Sequence, residues 1–262
     1  MLVKMYPNRE KIMNILTSLH ENFDCVAVKT EFEAEGTRKD ELIMLCDALR
    51  RANVPLTMKI GGCEAVRDMS EAKLFGAEAI MAPMIETSYA MKKYMMTANK
   101  VYGDCIDQVE WIINVETKTC HENLDEVLRQ GKGFLQTVCI GRSDYAGSLG
   151  LDDDINGQEM FKRVKDIAVR AREYGLKVTF GGKVLPTEQA IEFICKMNPF
   201  VDCYETRKVT FKSSDDPKRI QTGLSLAIEF EGRWLQTKHR YYESMACEDS
   251  ARLAKFESMI AD

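Results

Sequence analysis

Short β-branched and apolar runs alternate with longer amphipathic stretches along the chain. Eight runs predict strands: LVKM (2–5), CVAVKTEFE (25–33), PLTMKIGG (55–62), AIMAPMIE (79–86), EWIINVET (110–117), TVCIGR (137–142), KVTFGGKV (177–184) and FVDCYETR (200–207). Between them, REKIMNILTSLHENF, RKDELIMLCDALRRAN, NLDEVLRQG and QEMFKRVKDIAVRAREYG space apolar residues three and four apart, as one face of a helix does. Several of these close on Gly or Asn, a common helix stop. Strict strand–helix alternation favours parallel pairing, and eight units in 262 residues favour a closed α/β (β/α)8 TIM barrel as a single domain over 1–262. A doubly wound open sheet is the alternative. It lacks support because GG at 61–62 and 181–182 is too isolated for a dinucleotide or phosphate motif. From 215 to 262 the pattern predicts a C-terminal helical extension: one long helix carrying Trp234, Leu235, Tyr241 and Tyr242, then a short helix near 248–260. That surplus packs either on its own barrel or on a neighbouring subunit.

Composition narrows the class. A hydrophobic content of 45% with 29% charged residues is that of a globular chain with ample core. No apolar run approaches the ~20 residues that span a bilayer, and MLVKMYPNREK lacks the apolar centre of a secretory signal, so a cytoplasmic protein without a membrane partner is expected. The nine cysteines are scattered singly with no C-x-x-C pair, which predicts reduced core residues. The net charge of −5 arises from mixed signs with no basic, aromatic-interleaved stripe, so no nucleic-acid partner is expected.

In a parallel barrel the functional face lies at the C-terminal ends of the strands. There the predicted strands deliver Lys29, Glu31 and Glu33, then Lys59, Glu86, Asn114 and Glu116, Arg142 to Asp144, Lys183, and finally Glu205 and Arg207. Glu116 and Asp144 end sequential hydrophobic strands. Two carboxylates without neighbouring soft ligands suit a hard cation such as Mg²⁺ or Mn²⁺; helix caps or salt-bridge partners are the structural alternative. Lys183 in FGGKVLP permits a Schiff-base reading, which nearby carboxylates oppose by favouring its charged form. Glu205, Arg207 and Lys208 either bind an acidic group or form a rim of ion pairs. His20, His121 and His239 fall in or beside helical segments, where surface roles are expected.

The segments IMAPMIETSYAMKKY, WIINVET and CIGRSDYAGSLG resemble, in order, the V-P-M-V strand, the Q-I-E-T strand and the G-P-A-D-L-S…G loop of the 4-hydroxy-2-oxoheptanedioate aldolase and citrate lyase β-subunit family, within the pyruvate/phosphoenolpyruvate barrel superfamily. The resemblance runs from FDCVAVKTEFE to FVDCYETRKVTF. It implies that Glu116 and Asp144, 28 residues apart (144 − 116), are divalent-metal ligands. It also implies that Gly141, Arg142, Ser143 and Asp144 offer backbone N–H groups to a substrate carboxylate, and that Asn114 stands where the family often has glutamine. The family's E-H pair is Glu31-Phe32 here, its arginine is Lys59, and Lys29 replaces an acid. The usual proton-transfer histidine is therefore absent, leaving Glu31, Lys29, a metal-bound water or a neighbouring subunit for that role. Lys59 would neutralise an enolate as a point charge rather than a planar fork. The expected function is a metal-dependent lyase or aldolase on a small 2-oxo acid, in a homo-oligomer. A phosphoenolpyruvate- or acyl-CoA-utilising enzyme and a catalytically silent, metabolite-binding barrel are the alternatives.

Overall fold

The computed structural model describes residues 6–151 and 154–261. Its eight strands are β1 (Cys25–Glu31), β2 (Leu56–Lys59), β3 (Ala79–Ala82), β4 (Glu110–Val115), β5 (Thr137–Gly141), β6 (Lys177–Gly181), β7 (Cys203–Glu205) and β8 (Val209–Lys212), closed in sequence order into a barrel. The helices are α1 (Arg9–Asn22), α2 (Lys39–Ala52), α3 (Val66–Phe75), α4 (Ser88–Tyr102), α5 (Lys118–Glu122), α6 (Leu124–Gln130), α7 (Arg142–Leu149), α8 (Gln158–Glu173), α9 (Glu188–Met197) and α10 (Pro217–Ala261). No helix among the described residues is long and apolar enough to cross a membrane.

The expected strands from 25–33 to 200–207 appear, shortened, as β1 to β7, and LVKM lies outside the described residues. The strand that closes the barrel is VTFK, which pairs antiparallel with both β7 and β1. Expected all-parallel pairing therefore gives way to six parallel pairs from β1 to β7 and a terminal hairpin. Chain length explains the switch: only Thr206, Arg207 and Lys208 separate β7 from β8, and a parallel crossover needs about a dozen residues.

Strand alternation divides the side chains into two sets. Val28, Met58, Ile80, Ile113, Val138, Ile140, Val178 and Phe180 point outward into the main core, where they meet helix faces such as Ile12, Leu16 and Leu19 of α1 and Met160, Val164, Ile167 and Ala171 of α8. The inward set is small and polar; Ala79, Met81, Ile112 and Cys139 form its apolar cluster, separate from the main core. Two further differences from the sequence pattern concern helices. The glycine-rich stretch after β5 is helical as α7, which ends in a left-handed Gly150 (φ 68°), although it buries little besides Arg142, Tyr145 and Ala146. The C-terminal segment forms one continuous helix, α10, rather than a long helix and a short one. Its first half buries Ile220, Leu224, Phe230 and Trp234 against the barrel helices, whereas residues 243–260 are exposed throughout.

Candidate active site

Because β1 to β7 run parallel, their C-terminal ends meet at one rim. A cavity of about 420 Å³ opens there, lined from β1 by Lys29 and Glu31, from β2 by Lys59, and from β4 by Asn114 and Glu116. Gly141, Ser143 and Asp144 contribute from β5 and α7, Gly182 and Lys183 from the end of β6, and Glu205 from β7. Of the residues the sequence brings to this face, Arg142, Glu86 and Lys208 do not line the cavity; Lys29, Glu31, Lys59, Asn114, Glu116, Gly141, Ser143, Asp144 and Lys183 do.

Glu116 is almost wholly enclosed, only 1% exposed. Its Oε2 accepts a hydrogen bond from Asn114 Nδ2 at 2.8 Å and its Oε1 one from the Met84 backbone N–H at 3.0 Å. Lys59 Nζ lies 3.7 Å from Oε2 and 2.7 Å from Glu33 Oε2. Close packing of this carboxylate requires Gly141: a Cβ there would stand 2.7 Å from Glu116 Oε2 and 2.8 Å from Glu116 Cβ. Burial pushes the Glu116 carboxyl above the ordinary carboxylate range, and the charge of Asp144 adds to the rise, against the opposing pull of Lys59, Asn114 and the Met84 N–H. Burial works against the Lys59 ammonium, but Glu116 and Glu33 outweigh it and hold its pKa above the usual lysine value.

Deeper in the barrel, Lys29 forms a buried ion pair with Glu205. Glu205 Oε2 also accepts from Thr210 Oγ1 at 3.4 Å. Burial alone would lower the Lys29 pKa; Glu205 chiefly, with Cys139 and Glu31, reverses this and raises it. Arg207 pairs with Glu35 at 3.0 Å and Glu231 at 3.6 Å, and Lys208 pairs with Glu35, so these residues form an ion-pair network.

The resemblance assigns Arg142 a backbone N–H for substrate; its side chain is engaged elsewhere. It is 0% exposed and turned outward, donating to the carbonyls of Gly181 (3.0 Å), Gly182 (2.7 Å) and Ile155 (3.2 Å) and to Asn156 Oδ1 (2.9 Å). Its guanidinium lies over the rings of Phe180 and Phe193, 4.9 and 4.3 Å from their centroids. The side chain fastens the start of α7 to the end of β6. Gly182 makes the approach possible, with φ 90° and a hypothetical Cβ only 2.5 Å from Ser143 N. The sequence places Glu33 and Glu205 at strand ends without their partners and gives no sign of Met84; these contacts join residues 32, 26 and 176 apart (116 − 84, 59 − 33, 205 − 29), the first two between adjacent strands and the last across the barrel. His121 stands outside the cavity, bonded to Tyr145 and Asp166.

A divalent cation fits this donor set in one specific way. Among the described residues no three His, Cys, Asp or Glu side chains converge as a complete cage. Magnesium usually takes only one or two protein carboxylates and leaves other positions to water and substrate. Asn114 Oδ1 adds a second indication: it is a buried acceptor with no hydrogen-bond partner among the described residues, beside the Glu116 carboxylate.

A model of the HpcH/HpaI aldolase/citrate lyase family matches residues 48–203. Comparison with curated proteins yields no match. Among solved structures, the citrate synthase SbnG shares 15% identity at a TM-score of 0.59, covering 85% of this chain and 89% of its own. An HpcH/HpaI aldolase from Desulfitobacterium hafniense DCB-2 shares 13% identity at a TM-score of 0.58, with coverage of 83% and 87%. A family protein from Burkholderia cenocepacia J2315 shares 16% at 0.54, with coverage of 65% and 76%. These likenesses establish the fold, and the family match spans more than half of the chain. The eight-stranded barrel with its carboxylate-bearing rim belongs to the HpcH/HpaI aldolase/citrate lyase family.

Proposed function

We propose that this chain is a divalent-metal-dependent carbon–carbon lyase or aldolase acting on a small 2-oxo acid. The observation that carries the reading is the pairing of Glu116 and Asp144 on one cavity beside the unpartnered Asn114 Oδ1. Glu116 and Asp144 would hold Mg²⁺ or Mn²⁺. When bound, the ion supplies Lewis acidity to a substrate oxo group and its enolate.

This chain's residues supply the rest. The backbone N–H groups that open α7, at Arg142 and Ser143, suit a substrate carboxylate because a helix N-terminus presents unsatisfied donors and positive dipole. In the cleavage of a 4-hydroxy-2-oxo acid, the hydroxyl proton passes to a base and the C3–C4 bond breaks. An aldehyde departs, and the electron pair becomes a pyruvate enolate that takes a proton at C3. Lys59, held charged by its two carboxylates, neutralises negative charge developing on the enolate oxygen. Lys29, held charged by Glu205, is a fixed cation below the site and a poor proton acceptor. Glu31, on the cavity wall at the end of β1, therefore takes the proton-transfer role that the family histidine would fill. Lys183, at φ 47° beyond the end of β6, contributes charge at the rim for the substrate's distal part.

A substrate bearing a phosphate is the second reading, favoured by Lys183 and Arg207 on the cavity wall; Arg207 is already matched by Glu35 and Glu231, which favours the plain oxo acid. We also infer a homo-oligomer: the exposed end of α10 carries Leu253, Phe256, Met259 and Ile260, each at least 61% accessible, and a second copy of the chain would cover them. All nine cysteines are free, in keeping with a cytoplasmic location.

The test is release of pyruvate from 4-hydroxy-2-oxo acids by the purified protein with Mn²⁺, against a chelator-treated control and Glu116→Gln. Metal-dependent release that the variant loses supports the proposal. Full activity in Glu116→Gln overturns the assignment of that residue.

A further inference from the structure

The two candidate metal ligands sit on separate segments, and contacts outside the cavity tie those segments together. Glu116 leads directly into α5, and Asp144 is the third residue of α7. On α5, His121 places Nδ1 against the hydroxyl of Tyr145, the residue after Asp144. Its Nε2 lies 2.8 Å from Asp166 Oδ2 on α8. A carboxylate at Nε2 holds the ring proton there in the neutral imidazole, so Nδ1 is the acceptor and the Tyr145 hydroxyl donates. The tyrosine is fully buried and meets the imidazole edge-on, with ring centroids 5.8 Å apart. A second tie runs through Ser148 on α7, whose Oγ accepts from the Lys118 N–H at 2.9 Å and donates to the Tyr145 carbonyl at 2.8 Å.

We propose that His121, Tyr145 and Ser148 form a clamp that sets the position of Asp144 relative to Glu116, making His121 and Tyr145 positioning residues for the divalent cation. The proposal rests on the metal-binding reading above. Its force comes from the contrast between the two carboxylates. Glu116 is fixed by its burial, by Asn114 and by the Met84 N–H. Asp144 is exposed and takes its position from α7. That helix has a small apolar footprint; Arg142 secures its first residue to the end of β6, and Tyr145, one turn on, secures it to α5. Because no three His, Cys, Asp or Glu side chains converge among the described residues, cation affinity depends on the placement of Asp144 relative to Glu116.

Outer partners of metal ligands change affinity by roughly 10- to 100-fold when removed. The clamp acts through one helix turn rather than directly on the carboxylate, so the lower end, about tenfold, is expected. The experiment is calorimetric titration of the chelator-treated full-length protein with MnCl2 at a temperature well below melting, for the wild type, Tyr145→Phe, His121→Gln and Glu116→Gln. Metal-free melting temperatures are recorded for each. The clamp predicts a roughly tenfold higher Mn²⁺ Kd for both Tyr145→Phe and His121→Gln, with metal-free melting shifted by only a few degrees. Glu116→Gln abolishes binding in the same titration. Unchanged Kd in the folded clamp variants, with Glu116→Gln still defective, overturns the clamp alone. Absence of Mn²⁺ binding by the wild type overturns both the clamp and the metal reading beneath it. Should Tyr145→Phe fail to fold, His121→Gln decides, because its imidazole lies at the partly exposed edge of the contact.

Discussion

Replacing Glu205 by Gln would leave the Lys29 ammonium inside the barrel without its counter-charge. Both side chains are buried, at 10% and 5% exposure, so solvent screening gives little relief. Removing one partner of such a pair typically costs about 3–5 kcal/mol. Glu31 also stabilises the ammonium, which places the expected loss near the lower figure. At roughly 2–4 °C per kcal/mol for a chain approaching this size, the melting temperature should fall by at least about 6 °C. The double variant Lys29→Met/Glu205→Leu exchanges both charges for apolar groups and should recover most of the loss, since such exchanges are often neutral or stabilising. The pH dependence has a definite sign. In the wild type the folded pKa of Lys29 is raised, so its stabilising contribution is fully present below the unfolded value of about 10.4 and is lost as pH rises through the folded value. In Glu205→Gln the folded pKa drops below the unfolded one, so the variant should gain stability relative to wild type as pH rises through the alkaline range. Calorimetric melting at several pH values checks each point. A Glu205→Gln loss under about 1 kcal/mol, or a double variant as unstable as the sum of its singles, would refute the buried-pair reasoning.

Two other substitutions probe the rim. Gly141→Ala places a methyl group against Glu116 Cβ and Oε2 and should cost about 1–3 kcal/mol by overpacking while weakening Mn²⁺ binding; a variant that melts and binds like wild type contradicts the close contact. Glu116→Gln should be more stable than wild type in chelator at neutral pH, because the raised carboxyl pKa marks an ion penalised by burial. That advantage should shrink on acidification through the raised folded pKa, as wild-type Glu116 becomes neutral too, and paired melting curves at pH 7 and pH 5 measure it.

Much of this architecture is legible in the chain. Apolar runs alternating with amphipathic stretches predict the barrel, and hydrophobic strands that end in carboxylates bring Glu116 and Asp144 to one cavity. The exceptions have physical causes. VTFK is a strand of its own, and the three residues before it are too few for a parallel crossover. Arg142 shares the outward parity of Val138 and Ile140, whereas Cys139 and Gly141 face inward, so period-two counting along β5 directs its side chain away from the substrate. The helix α7 lacks an apolar stripe because Arg142 and Tyr145 anchor it through polar contacts. Lys29 reads as a spare cation until barrel closure brings Glu205 to it across 176 residues.

The central claim is that this rim generates an enolate without the family's histidine. Proton NMR of pyruvate in D₂O, with the purified protein and Mg²⁺ and a chelator-treated control, follows loss of the methyl signal as deuterium enters. The account predicts metal-dependent exchange that persists in Lys29→Met and is lost in both Glu116→Gln and Glu31→Gln. Exchange retained in full by Glu31→Gln would contradict its role as the base, and no exchange by the wild type would contradict pyruvate-enolate chemistry at this site.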